Sequence, residues 1–258
     1  MEHQQSTKKN IKFSIITVSY NSEQTIERTI QSVLNQQYPN LEYIIIDGGS
    51  NDNTINIIKK YEDKISYWIS EPDKGIYDAM NKGLSKAHGD LIGILNSDDW
   101  YSPNILWEIA TQYIKYGDDN IFHGNIRFCY KNGSNKIAKP CLKLNKLYKG
   151  TLLFHPTIFV PKNIYIKYGK FDTKYKIAAD YDFILRCYIN HLNFVHINQV
   201  ITNMSMEGES NKNIIKGFKE VMHIALESPL PKMKIYYYFI RNSILYKTKA
   251  LIQNFITK

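Results

Sequence analysis

Short apolar runs that end in acidic residues constrain this chain more than any other feature. Leu91-Ile92-Gly93-Ile94-Leu95-Asn96-Ser97 leads straight into Asp98 and Asp99. A run of that length and composition reads as a buried strand. Leu41-Glu42-Tyr43-Ile44-Ile45-Ile46 ends in Asp47-Gly48-Gly49-Ser50-Asn51-Asp52-Asn53-Thr54, and a helical pattern through Ile55, Ile58 and Tyr61 follows. Gly48 and Gly49 permit a tight strand-to-helix turn. Ser50 is the expected N-cap, and Asp52 suits the positive first turn. In open α/β sheets, ligands bind beyond the C-terminal strand ends. Carboxylates left there are costly unless they hold a cation or accept hydrogen bonds. Adjacent Asp98 and Asp99 suit a hard divalent ion that in turn holds nucleotide phosphates. A solvated Asn-Ser-Asp-Asp turn would use the same residues. Asp47, at the other strand tip, is placed to accept from a base or ribose.

The remaining pattern extends this alternation. Phe13–Ser19 is apolar and β-branched, and a helix capped by Asn21 or Ser22 follows, with Ile26, Ile30, Val33 and Leu34 at helical spacing. A strand is expected at 65–69 and a helix at 76–87. Strands alternating with helices predict a parallel, doubly wound sheet. The alternation stops near residue 116. Beyond it the pattern predicts a hairpin (121–130 with 137–139), a long Lys-rich loop, a strand at 157–160, a helix at 181–190 and a strand at 194–197. The expected organisation is a disordered tail (1–10), a nucleotide half (11–116) and an acceptor half (117–227) sharing one sheet, and a basic helical tail (228–258).

A net charge of +9 over 258 residues calls for an anionic partner. After Glu227 no acidic residue remains, while Lys232, Lys234, Arg241, Lys247, Lys249 and Lys258 do. The basic excess is concentrated there rather than woven into a nucleic-acid motif, so nucleic acid is not the expected partner. In the same segment Met233, Tyr237, Ile240, Ile244, Leu251 and Phe255 form an apolar stripe. The stripe fits either a helix packed on the domain or an in-plane anchor on an anionic membrane surface; the missing acids favour the membrane. Cys129, Cys141 and Cys187 show no metal spacing and fit a reducing compartment. The polar start is no signal peptide, and no apolar run reaches the ~18 residues of a membrane span. The expected location is the cytoplasm, peripheral on the inner face of the membrane if the tail binds lipid. A missing GxxxxGK[ST] excludes a P-loop enzyme, and a missing GxGxxG disfavours a dehydrogenase. The glycine-free Thr17-Val18-Ser19-Tyr20-Asn21 disfavours a nucleotidyltransferase.

Four blocks in this order resemble the family 2 glycosyltransferases of the GT-A fold. They are Ile16-Thr17-Val18-Ser19-Tyr20-Asn21 with Ser32-Val33-Leu34-Asn35-Gln36; Ile46 to Thr54; Asn96-Ser97-Asp98-Asp99; and Ala179-Asp180-Tyr181-Asp182-Phe183-Ile184-Leu185-Arg186. The loop 70–83 resembles the branch that builds bacterial polysaccharides. The resemblance implies an α/β GT-A fold, a Rossmann-like nucleotide half on a mixed central sheet, followed here by the C-terminal helix. It implies a metal-dependent, hexosyltransferase-type enzyme that uses a nucleotide sugar, UDP-linked by family frequency. The implied acceptor is a glycan or a polyprenyl-diphosphate-linked oligosaccharide of a capsule, O-antigen or exopolysaccharide.

At matching positions, Thr17, Ser19, Tyr20, Asn21 and Asp47 would contact the nucleotide, with Asp73, Lys74 and Asn81 toward the diphosphate and sugar. Asp98 would approach the ribose or metal, Asp99 would bind the metal, Mn or Mg, and Asp180 would be the general base. Pro72 and Gly75 fix a tight loop around Asp73. Lys74 and Tyr77 read equally as donor contacts or as a solvated lysine and a packed tyrosine. His155 and Asp182 are candidate acceptor contacts, and Asp182 also fits a helix-start acid. Glu207-Gly208-Glu209-Ser210 reads as a hinged lid or a plain loop. The chain departs from the family at Ala179, where many members carry Glu, at Asn96, where others open an Asp-x-Asp, and at Met80, where a neighbouring pattern has Arg. These departures keep open a second reading, a catalytically silent nucleotide-binding module on a membrane.

Overall fold

The computed structural model describes residues 10–206 and 214–256. Nine strands form one mixed sheet. β1 (Phe13–Ser19) is buried along its whole length, as a central parallel strand requires. It lies between β2 (Leu41–Asp47) and β4 (Leu91–Asn96), parallel to both. Ser19 pairs with Asp47 and Val18 with Asn96, so the acid-bearing tips share one edge of the sheet. β3 (Tyr67–Ser70) adds outside β2.

On the other side, β8 (Phe159–Pro161) runs antiparallel to β4 and reverses the sheet. β6 (Asn120–Cys129), its hairpin partner β7 (Asn135–Ala138), β9 (Asn193–Ser205) and the edge strand β5 (Trp100–Tyr101) complete it. The parallel arrangement expected from the alternation therefore holds for β1 to β4 and gives way beyond them. β6 and β9 run parallel to each other, so Phe128, Met204 and Ser205 arrive beside the β4 tip.

Two cores follow from the two-residue period of the strands. Ile16, Ile44 and Ile94 pack with α3 (Ile76–Lys86), α6 (Ala179–Ile189) and α7 (Ile214–Leu226). Ile15, Ile45 and Leu95 pack with α1 (Ile26–Leu34), α2 (Thr54–Lys59) and α4 (Ile105–Tyr116).

Several boundaries depart from the sequence expectation. β9 runs through the polar Asn198-Gln199 because register shifts at Gly124–Ile126 absorb these exposed residues. α5 (Lys162–Tyr168), α7 and β5 were not anticipated. Residues 155–157 form a 3-10 turn ahead of β8, and a second 3-10 turn, Leu144–Lys149, lies in the Lys-rich loop. Thr25 and Asn53 occupy the N-cap positions of α1 and α2, not Asn21, Ser22 or Ser50. Ser50 instead turns back to Asp47.

α8 (Lys232–Ile256) buries Ile235 against α7. The stripe residues Met233, Tyr237, Ile240 and Ile244 face outward, each more than half exposed. The stripe is therefore not the packing face of the helix. The side chains of Leu251 and Phe255, residues 1–9 of the expected tail and the 207–210 lid lie outside the described residues. Among the described residues no helix is long and apolar enough to cross a membrane.

Candidate functional site

Asp47 does not stand free at its strand tip. Its Oδ1 accepts from the Ser19 and Ser50 hydroxyls, at 2.9 and 2.5 Å. Its Oδ2 accepts from the Gly49 and Ser50 N–H groups and the Ser70 hydroxyl, at 3.1, 2.8 and 2.7 Å. The carboxylate is fully buried, and these bonds tie the tips of β1, β2 and β3 together. Gly49 takes φ +83°, open to glycine, and a Cβ on Gly48 would run into the Asp73 carboxylate.

This geometry corrects the expectation that Asp47 offers a free acceptor to a base. Ser19 is spent on Asp47. Thr17 is fully buried and bonded to the Tyr43 hydroxyl at 3.0 Å, too deep for a nucleoside. Asn81 bonds both backbone groups of Phe171 and anchors α3, so it too is withdrawn from the donor side. What remains accessible is Tyr20, 62% exposed, with Asn21 next to it in sequence and Asp73 meeting the same face of Gly48; Lys74 is exposed on the loop that follows. Asn21 holds a left-handed φ of 46° and accepts from the Asn51 N–H at 3.0 Å. Asp73 accepts from Gly75 N–H at 2.7 Å.

The acid loop beyond β4 is secured by α1. The Thr29 hydroxyl lies 2.9 and 2.7 Å from the carbonyls of Ser97 and Asp99. Arg28 donates to the Asp98 carbonyl at 2.9 Å and stacks 3.7 Å above the Trp100 ring. Asp99 is fully buried. Its Oδ1 accepts from the Ser205 N–H at 3.1 Å, while Oδ2 has no hydrogen-bond partner among the described residues. Burial, with the adjacent Asp98 charge, holds Asp99 well above the usual carboxylate range. Burial raises Asp98 as well, opposed by Arg28.

A buried carboxylate oxygen without a donor fits a cation ligand. Among the described residues no three His, Cys, Asp or Glu converge. A divalent ion here would take Asp98 and Asp99 from the protein and its other ligands from a diphosphate and water.

Beside this loop a cavity of about 560 Å³ opens, with Asn96, His155, Lys176 and Asp180 among its polar lining. Asp180 sits in the first turn of α6 and lies 2.9 Å from the Tyr77 hydroxyl. The same hydroxyl lies 2.7 Å from the Ile177 carbonyl. Tyr77 is thus a packed tyrosine that reaches the carboxylate; Lys74 is exposed. Glu220 on α7 accepts from the N–H groups of Lys176, Ile177 and Ala178, fixing the approach to α6. His155 packs edge-on to Phe171 at 5.7 Å; burial lowers its pKa and Asp180 opposes that.

Asp182 is engaged elsewhere. It pairs with Arg186 one turn on, at 2.9 Å, and does not line the cavity. Arg186 in turn caps the carbonyls of Tyr168 and Lys170. His196 is a satisfied strand residue, bonded to Asn125 at 3.0 Å.

The Glycosyl transferase family 2 model matches residues 14–173. The chain belongs to that family. An uncharacterised glycosyltransferase of Mycobacterium tuberculosis is 35% identical over 177 residues, covering 67% of each chain. Among solved structures, Staphylococcus aureus TarS 1–349 in complex with UDP-GlcNAc superposes with a TM-score of 0.67 at 20% identity, over 89% of this chain and 70% of that one. The chain spans only 43% of the longer TarS structure. A Pyrobaculum calidifontis mannosyltransferase with GDP-Man and Mn2+ gives 0.66 at 14%, again over 89% of this chain and 70% of that one. These likenesses show the GT-A fold.

Within this family 2 frame, reading the sequence missed three parts of the site: Arg28, Tyr77 as the partner of Asp180, and Glu220. Arg28 sits one residue from the buried Thr29 of an amphipathic helix, where a polar group is easily taken for solvent-facing, while Tyr77 is itself buried and its partner lies 103 residues on. Glu220 lies on a helix the pattern did not reveal.

Proposed function

We propose that this family 2 member is an inverting glycosyltransferase that moves a sugar from a nucleotide sugar, most simply a UDP-sugar, to a hydroxyl of a glycan or polyprenyl-diphosphate-linked acceptor in cell-surface polysaccharide synthesis. One observation carries the reading: Asp180, oriented by Tyr77, faces a cavity that also meets the tip of β4, the strand bearing Asp98 and Asp99. Tyr20, Asn21, Asp73 and Lys74 would take the nucleotide. The acceptor hydroxyl gives its proton to Asp180 as its oxygen attacks the anomeric carbon. The nucleoside diphosphate leaves from the opposite face, inverting the centre without a covalent enzyme intermediate. A divalent ion on Asp98 and Asp99 would neutralise charge on that leaving group. The apolar face of α8, with no acid nearby in sequence, supports attachment to an anionic membrane surface.

A thermal-shift panel of UDP, GDP, dTDP and CMP, with and without Mn2+, tests this reading. One nucleotide should raise the melting temperature in a Mn2+-dependent way, and Asp99→Ala should abolish the effect. Transfer or donor hydrolysis lost in Asp180→Asn would exclude the silent-module reading, which rests on Ala179 and Asn96. No shift with any nucleotide would overturn the donor assignment.

A further inference from the structure

We infer that Asn96 reads the transferred sugar, its amide donating a hydrogen bond to one of that sugar's oxygens. The inference rests on the transferase reading above and adds a specificity residue to that site. Asn96 is the last residue of β4. Its carbonyl accepts from the Asp99 N–H at 3.1 Å and so closes the turn that carries Asp98. Its side chain lines the same cavity as Asp180.

The fold makes no use of this amide, in contrast to its treatment of other asparagines. Asn81 bonds both backbone groups of Phe171. Asn120 donates to the Tyr116 carbonyl at 2.7 Å. Asn125 meets His196 and Asn203 meets Arg127, each at 3.0 Å. At Asn96 the Oδ1 is sealed from solvent with no donor among the described residues. The Nδ2 has no acceptor among them either, and it is not sealed, so it opens on the cavity. An unpaired amide in a half-buried position is costly, and a ligand that pairs with it offsets that cost.

Position and chemistry together select the sugar. In the reading above, Asp98 and Asp99 hold the diphosphate through a cation, and Asp180 takes the proton of the oxygen that attacks the anomeric carbon. The transferred sugar spans those two points. Asn96 stands two residues before Asp98 and shares a cavity with Asp180, so it borders that span. The ionised carboxylates nearby accept hydroxyl protons and cannot donate. A sugar oxygen also presents lone pairs, and an amide at position 96 supplies the donor that a carboxylate there would lack. Other donors in the lining are committed: Lys176 gives to the carbonyls of Lys74 and Thr173, at 3.3 and 3.0 Å, and the Tyr77 proton is shared between Asp180 and Ile177.

The test is isothermal titration of the full chain, with Mn2+ present, by UDP-glucose, UDP-galactose, UDP-GlcNAc, GDP-mannose and dTDP-rhamnose, each against its bare nucleotide. The nucleotide sugar that wild type binds most tightly is then titrated into Asn96→Ala and Asn96→Asp. We expect Asn96→Ala to weaken it about three- to tenfold and to leave the bare nucleotide within about twofold. Retained binding of the bare nucleotide also shows that the variant is folded. Asn96→Asp keeps the shape and removes the donor, so its affinity for the sugar form relative to the bare nucleotide should fall by a similar factor. Wild-type ratios in both variants would overturn the inference. So would an equal loss of bare nucleotide in Asn96→Ala, which would make Asn96 a nucleotide or cation contact. An aspartate variant that holds the sugar form as well as wild type would overturn it too, since an accepting oxygen would then suffice. These three outcomes leave the transferase reading standing. A wild type that binds no nucleotide sinks that reading, and the inference with it.

Discussion

Tyr77 on α3 and Asp180 on α6, 103 residues apart in the chain, meet at 2.9 Å across the cavity wall. Burial and the Asp180 charge hold the Tyr77 phenol well above its ordinary range, so it stays a donor. Its one proton faces two acceptors, Asp180 Oδ1 and the Ile177 carbonyl. The hydroxyl therefore fixes the carboxylate rotamer relative to the loop before α6. Tyr77→Phe keeps the ring against Phe171, 5.5 Å away, and removes only this tie. The expected result is a roughly tenfold fall in kcat, with donor KM changed by less than about twofold and stability by about 1 kcal/mol or less. Steady-state kinetics in both substrates check it; an unchanged kcat removes Tyr77 from the positioning machinery.

Asp99 is a site where function opposes stability. Its raised carboxyl stabilises the fold only when protonated, so its contribution is present at low pH and lost as pH rises through the folded value. At neutral pH without a cation it is a liability. Asp99→Asn should therefore melt at or above the wild type in metal-free buffer, by about 2–4 °C. Its Mn2+-dependent response to nucleotide should disappear. A melting point well below wild type in metal-free buffer would mean that Asp99 serves the fold instead.

How far the sequence reveals this site depends on the range of each interaction. Asp98, Asp99 and Asp180 are readable because strand tips and helix starts are local features. The Asp182–Arg186 pair is readable too, since Arg186 stands one helical turn beyond Asp182. Asp47 is different. Its donors include Ser19 and Ser70, brought in by the alignment of the β1, β2 and β3 tips. Periodicity cannot show that the carboxylate is already saturated. Asn81 is hidden the same way by a partner 90 residues on. The stripe on α8 is visible as a pattern, but which side faces the protein is decided by α7, a helix that no pattern in the sequence marks.

Tyr20 is the accessible aromatic at the nucleotide side, and no described hydrogen bond ties its ring to the fold. A base stacked on it gains about 1–3 kcal/mol. Tyr20→Ala should weaken nucleotide binding about 5- to 50-fold, and Tyr20→Phe should retain most of it. Because the side chain is 62% exposed, thermal stability should stay within about 0.5 kcal/mol in both. Equal affinities of Ala and wild type in a UDP titration would move base stacking elsewhere.

Glu42 sits under the sheet, at the end opposite the site. Burial alone would raise its pKa, but Ser14, the His88 N–H and Lys12 overcome that and bring it down to about 2. A depressed carboxylate stabilises the fold above its unfolded value, about 4.3, and loses that contribution as pH falls through the folded one. Glu42→Gln should cost about 1–3 kcal/mol at neutral pH. The gap between variant and wild type should narrow as pH falls from about 4 toward 2. Urea melts at several pH values measure it; a gap that does not change with pH would leave the charge without a role.

Glu220 holds the approach to Asp180 from behind. Its two oxygens accept from three consecutive N–H groups, those of Lys176, Ile177 and Ala178, at 3.1, 2.8 and 3.0 Å. Ile177 is also the residue whose carbonyl shares the Tyr77 proton. Glu220→Ala frees this segment and costs about 1–3 kcal/mol. If the segment merely completes the fold, kcat at a temperature well below the melting point stays the same. If it sets the reach of Asp180, kcat falls about tenfold while UDP affinity is untouched, because the acid loop is held separately by Arg28 and Thr29. Glu220→Gln keeps one strong acceptor oxygen and should recover part of the loss. We expect the second pattern, read as kcat against UDP affinity in the three proteins, because the tie reaches the first turn of α6 and no part of the nucleotide side.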